Sequence, residues 1–166
     1  RIGGHALIGR HETEWQRSQT DRVLVGGQVQ ARWLTVEDFT DAYSSAEGVV
    51  ETDETQMFAA VWTDWKGTRG PWTWVPGLRG GLYHFNDQTA VLPEPRLSVT
   101  RTVSDSFSLK GFLGRFGQSP SMEMTAEGVG NPTLGLMRAW QLSLGADWKQ
   151  GSWQLDSSLY GSVMHG

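Results

Sequence analysis

Residues 140–164 read Trp140-Gln-Leu-Ser-Leu-Gly-Ala-Asp-Trp-Lys-Gln-Gly-Ser-Trp-Gln-Leu-Asp-Ser-Ser-Leu-Tyr-Gly-Ser-Val-Met164. In the first half Trp140, Leu142, Leu144, Ala146 and Trp148 alternate with Gln141, Ser143, Gly145, Asp147 and Lys149. In the second, Trp153, Leu155, Ser157, Leu159, Gly161 and Val163 alternate with Gln154, Asp156, Ser158, Tyr160, Ser162 and Met164. A period of two over this length is a β-strand with one apolar and one polar face. Gln150-Gly151-Ser152 between the two halves is a tight hairpin turn.

The same device recurs upstream. Phe107, Leu109, Gly111 and Leu113 alternate with Ser108, Lys110, Phe112 and Gly114. Leu97, Val99 and Val103 alternate with Arg96, Ser98, Thr100 and Thr102, and Ser104-Asp105-Ser106 joins the two runs. Thr55–Lys66 and Pro71–Phe85 flank Gly67-Thr68-Arg69-Gly70, and weaker strands run from Arg22 to Trp33 and from Ile2 to Glu14. The expectation is all-β: about eight antiparallel strands and no helix. Short turns at 67–70, 104–106 and 150–152 alternate with long connections at 34–54, 86–94 and 117–138. Outer-membrane barrels show this asymmetry, with short periplasmic turns and long external loops.

Composition agrees. Of 166 residues 38% are hydrophobic, yet the chain carries 9 Trp and 21 Gly, and its mean hydropathy is −0.39. A helical bundle would draw on more Leu, Ile and Val, and collagen would need Gly at every third position. No apolar run approaches the roughly 20 residues of a spanning helix, which says nothing against strands of about 9–11 residues. A net charge of −4 argues against nucleic acid as a partner. There is no Cys, so disulfides, thiolate metal sites and Cys nucleophiles are excluded. Among the cations Lys is confined to Lys66, Lys110 and Lys149, and the rest are Arg, which favours fixed, paired charges. The chain opens at Arg1 inside a strand pattern, so it is expected to begin within a longer protein.

Aromatics gather at the short turns. Trp65, Trp72 and Trp74 flank the first, Phe107 follows the second, and Trp148 and Trp153 bracket the third. Such a belt is what a membrane–water interface selects, and cross-strand Trp pairing in a soluble sheet is the competing explanation.

Trp74-Val-Pro-Gly-Leu-Arg-Gly-Gly-Leu-Tyr83, Pro95-Arg-Leu-Ser-Val99, Phe112 to Pro120, Gly130-Asn-Pro-Thr-Leu134 and Leu142-Ser-Leu-Gly145 follow one another in order. This series resembles the barrel region of TonB-dependent outer-membrane receptors, with their "PGLR" and "SPRL" strands and their long loop carrying "GNP-x-L". The resemblance runs from about Thr55 to the end. Gly135-Leu136-Met137 stands where the family often has Lys-Pro-Glu, and Met164-His165-Gly166 ends the chain where a complete barrel usually ends on an aromatic residue. What the resemblance implies is a partial barrel over 1–166, about eight strands of the family's twenty-two, with no plug domain. It further implies a place in the bacterial outer membrane, outer-membrane lipid, the plug and the TonB system as partners, and uptake of a scarce nutrient such as an iron chelate, cobalamin or a glycan. No cofactor is implied, and the chain is not expected to be an enzyme. Two other readings stay open: a complete eight-stranded barrel with a structural or adhesive role, and a soluble β-sheet binding module.

Parity assigns the facing. Leu78, Leu82 and Leu97 toward lipid turn Arg79 and Arg96 inward, and the polar wall is completed by Lys110, Gln141, Asp147, Lys149, Gln154 and Asp156. Arg101 and Arg115 fall on the apolar parity near strand ends, where a lipid-facing charge costs roughly 0–1 kcal/mol instead of the 2–4 kcal/mol at midplane. His5 and His11 share a parity that can face a lumen, about 20 Å apart and so too far for one metal. Glu47, Glu51, Asp53 and Glu54 lack the alternating ligands and Gly of a calcium loop. No Gly-x-Ser-x-Gly elbow is present, and His165 with Asp156 makes no triad. The topology has a direct check. In intact cells carrying the full-length protein, a membrane-impermeant maleimide should modify Ala126→Cys and spare Gly151→Cys; the reverse pattern would invert the orientation.

Overall fold

The structure is a computed structural model that describes residues 2–36, 52–85, 87–125, 131 and 133–165. Eight strands lie in sequence order in one antiparallel sheet: β1 (Ile2–Gln16), β2 (Asp21–Val36), β3 (Thr52–Arg69), β4 (Trp72–Phe85), β5 (Gln88–Ser104), β6 (Phe107–Gln118), β7 (Met137–Gln150) and β8 (Trp153–His165). One helical turn, α1 (Met122–Thr125), stands between β6 and β7. The order is that of a meander, in which every strand pairs with its neighbour in sequence.

The turns follow from their residues. Gly70 and Gly151 sit at φ 56° and 59°, left-handed backbone that glycine adopts without a Cβ penalty. In the β1–β2 turn the Ser18 and Thr20 hydroxyls donate to Asp21 Oδ2, both at 2.9 Å. Those bonds hold the Asp21 carboxyl below its ordinary pKa, with Arg69 adding a smaller contribution.

One expectation fails. Residues 86–94 are no long connection: β4 ends at Phe85, β5 begins at Gln88, and Asp87 turns the chain at φ 56°. Pro93 and Pro95 give this stretch the look of a loop. Their ladder bonds to β4 survive because positions 93 and 95 pair with Gly80 and Leu78 without needing a donor on that side. Of the 34–54 connection, β2 reaches Val36 and β3 starts at Thr52; residues 37–51, with Glu47 and Glu51, lie outside the described residues.

Register sorts the side chains into two faces. One row across the sheet joins Pro76, Leu97, Leu113, Leu142 and Gly161; another joins Gly9, Val29, Ala59, Leu82 and Val91. These rows form an apolar face left open, on which Leu144 is 56% and Leu159 75% exposed. An apolar surface of that extent belongs against lipid or a partner, not water. The other face carries most of the charged and amide side chains, with exceptions near strand ends such as Arg101, Arg115 and Arg138. Its buried cluster of Tyr83, Phe85, Leu92 and Leu136, flanked by Phe58 and Ala90, lies beneath the β6–β7 connection. The apolar row predicts that Leu144→Arg impairs barrel assembly by roughly 2–4 kcal/mol. Ser143→Arg, opposite Phe112 and Tyr160 on the polar face, should assemble, read as heat-modifiable migration of the full-length protein. Equal damage from both would contradict the facing.

Candidate functional site: the polar wall

All eight wall residues named from parity fall on the polar face. Arg79 stands opposite Glu94, Gln141 opposite Gly114, Asp147 opposite Asp156 and Lys149 opposite Gln154. Arg96 and Lys110 share that face, opposite Gly77 and Gly145.

The structure brings some of these together through residues that parity did not single out. Arg96 grips Asp64 two strands away, with Nε donating to Oδ1 at 2.8 Å and Nη2 to Oδ2 at 2.6 Å. This is the planar two-point match for which guanidinium is suited. It passes directly over Gly77, where a Cβ would overlap Asp64 Oδ1 and lie 2.9 Å from Arg96 Nε. The glycine of Pro76-Gly-Leu-Arg79 is therefore a gap that lets a β5 side chain reach β3. Lys110 bridges Asp147 and Asp156, relieving the repulsion of two carboxylates set directly opposite one another. Arg79 donates to Glu94 Oε2 at 3.3 Å and lies 4.9 Å over the Phe58 ring. Gln141, Lys149 and Gln154 are not drawn into these ion pairs.

Toward the long-connection end a cavity of about 320 Å³ opens on this face, lined by Gln28, Gln30, Arg32, Gln56, Arg79 and Tyr83 and closed on one side by Gly117–Ser121. Arginine and amide side chains suit a polar, oxygen-rich occupant. Glu94 was missed in the sequence because 86–94 read as a loop, and Gln56 and Tyr83, although inside expected strands, because their partners Pro120 and Glu94 lie far away in the chain. Extending the alternation of β5 through its prolines would have placed Glu94 opposite Arg79.

One other expectation is corrected. His5 and His11 lie on the apolar face, opposite Trp33 and Gly27, because the polar parity of β1 belongs to Arg10, Glu12 and Glu14. His165 pairs with Arg138 on the apolar parity while Asp156 lies on the polar one, so the sheet separates them.

The six belt residues occupy strand ends at the short turns. Trp72 and Trp74 stack with centroids 5.6 Å apart, and Arg101 lies 5.2 Å over Trp72. Phe107 pairs with Trp148, Trp65 with Val23, and Trp153 with Gln150. Trp15, which the sequence reading passed over, joins them by pairing with Val23.

Among solved structures the chain is similar to receptors of bacterial outer membranes. It matches the siderophore receptor PirA of Pseudomonas aeruginosa at 18% identity and TM-score 0.70, over 97% of this chain and 31% of that one. A mutant of the ferric enterobactin receptor PfeA of the same organism aligns at 11% identity and TM-score 0.78, over 98% and 27%. The copper transporter OprC aligns at 16% and 0.75, over 98% and 30%. The fold is thus that of a stretch of a TonB-dependent receptor barrel. The chain spans about 27–31% of the length of these receptors. No family model matches it, and no curated protein does.

The Arg96–Asp64 pair has a specific test in the full-length protein. Gly77→Ala and Asp64→Asn should each cost roughly 1–2 kcal/mol, and the double variant little more than either alone, because both remove one interaction. Heat-modifiability midpoints measure this; simple additivity would separate Gly77 from the ion pair.

Proposed function

We propose that the chain is part of the barrel of an outer-membrane receptor that takes up a scarce nutrient, such as an iron chelate, cobalamin or a glycan, driven by the TonB system. It binds and conducts; it is not an enzyme. A plug elsewhere in the full-length protein occupies the lumen that the polar face borders, and the long connections lie outside the cell. The observation that carries this reading is the superposition of 97–98% of the chain on receptors of this kind, with apolar residues on one face and fixed, paired charges on the other. The similar structures are a siderophore receptor, a ferric enterobactin receptor and a copper transporter, and the cavity lined by Arg32, Arg79 and four glutamines is compatible with a polar cargo. A complete eight-stranded barrel would pair β8 with β1; the sheet instead runs open from β1 to β8.

Uptake assays test the proposal. Cells carrying the full-length protein should accumulate one labelled nutrient among ferric chelates, cobalamin and oligosaccharides, and should lose that accumulation when TonB is deleted. Accumulation equal to that of a strain lacking the gene, for every nutrient, would overturn it.

A further inference from the structure

β5 and β6 pair from Ser104 and Phe107 as far as Arg96 and Gly114, and there the pairing stops. The cause is written in the backbone. The Thr102 N–H donates to the Pro71 carbonyl at 2.8 Å, so even positions of β5 turn their amides toward β4, and odd positions, 93 and 95 included, turn toward β6. The Ser106 carbonyl, just before β6, accepts from the Lys149 N–H at 2.8 Å. Even positions of β6 therefore face β7, and odd positions face β5. Carrying the register onward would set Arg115 against Pro95 and Gly117 against Pro93. Neither proline has an N–H to give.

Gly117 is nonetheless satisfied at both ends. Its N–H donates to Glu94 Oε1 at 3.0 Å. The Tyr83 hydroxyl lies 3.0 Å from the Gly117 carbonyl and 2.6 Å from Glu94 Oε1, one proton serving the two acceptors. Glu94, held from its other oxygen by Arg79, is 2% exposed. Three residues on, the Pro120 carbonyl accepts from Gln56 Nε2 at 3.1 Å, and Pro120 is buried.

We propose that Glu94 is a positioning residue, whose carboxylate replaces at Gly117 the ladder bonds that Pro93 and Pro95 withhold. It fixes the β5 side of the end of β6, whose other side stays paired with β7, and so holds the strap that follows, residues 119–121, down on the polar face. This strap is the movable wall of the cavity at Arg32 and Gln56. Freeing it leaves the strands in place and widens the cavity. The buried carboxylate, flanked by two prolines, makes the attachment on the β5 side a side-chain contact instead of a backbone one, and hence reversible while the β6–β7 ladder stays intact.

The test uses the full-length protein in detergent micelles with Ser119→Cys as a labelling site, since this chain has no cysteine of its own. A water-soluble maleimide should label Glu94→Ala about tenfold faster than the parent, the loss expected for a buried charged hydrogen bond. Glu94→Gln, whose amide oxygen still accepts from Gly117 and Tyr83, should stay closer to the parent. An assembled Glu94→Ala barrel labelled at the parent rate would overturn the proposal, as would Glu94→Gln labelled as fast as Glu94→Ala. Should Glu94→Ala fail to assemble, Tyr83→Phe takes its place: faster labelling supports the strap, and the parent rate overturns it. The labelling result stands apart from the receptor reading, which uptake in the same strains judges: a freed strap in a protein that imports nothing would sink that reading alone.

Discussion

A backbone amide or carbonyl facing hydrocarbon has no water to turn to, and leaving one unpaired there costs several kcal/mol. On the receptor reading, that constraint organises everything else in this chain. It favours a ladder running strand to strand without interruption, and the order β1 to β8 with neighbours always paired is its simplest solution. Turns such as Gly70-Pro71 keep consecutive strands in register where the chain reverses. The ladder relaxes between β5 and β6 beyond Gly114, and there a carboxylate and a phenol take over the bonding of Gly117.

On that reading lipid lies outside, and the apolar face needs hydrophobicity but no jigsaw packing, in keeping with the open Leu144 and Leu159 of the isolated sheet. Specific geometry is concentrated on the other face. Its charges largely neutralise one another across strands: Arg22 with Glu14, Arg79 with Glu94, Arg96 with Asp64, and Lys110 with Asp147 and Asp156. Removing one partner of such a pair leaves the other uncompensated, so the wall is stiff where it is paired. Among the described residues Arg32 has no carboxylate partner, and it lines the cavity at the end where the strap lies.

Strand alternation made the fold legible. The apolar and polar parities of residues 140–164 survive intact in the register of β7 and β8, and Arg79 and Arg96 share one face of the sheet. What alternation could not show was which strands meet at a distance. Asp64 is an ordinary acidic residue in the sequence; its importance arises only because Gly77 opens a path for Arg96. Glu94 stayed hidden for another reason. Proline is read as a strand breaker, yet in β5 two prolines turn their missing donors toward a neighbour that has already departed. His5 and His11 show the limit of parity by itself: two residues of one parity share a face, but the parity of the charged neighbours decides which face that is.

The apolar face also carries its own ruler. On β4 it runs from Trp72, at the short turn, to Leu82, ten positions on, which matches the roughly 9–11 residues a tilted strand needs to cross hydrocarbon. The next residue on that face is His84, whose Nδ1 lies 2.9 Å from Thr89 Oγ1 across the hairpin, so polarity begins where the crossing ends. Other strands repeat the sequence of aromatic, aliphatic and then polar residue. β7 goes from Trp148 through Leu144 and Leu142 to Trp140 and Arg138, and β8 from Trp153 through Leu159 to Val163 and His165. Arg115, opposite Trp140, stands at that same upper margin, whereas Arg101 lies over Trp72 at the lower one. On the receptor reading the two arginines of the apolar parity are thus interface residues. Strands of up to 18 residues exceed the crossing, and the belt holds their short-turn ends near one interface. The surplus must then project at the other end, beyond Leu82 on β4, while Glu94, opposite Arg79, binds Gly117 from the polar face, away from the hydrocarbon that would make a loosened main chain so costly.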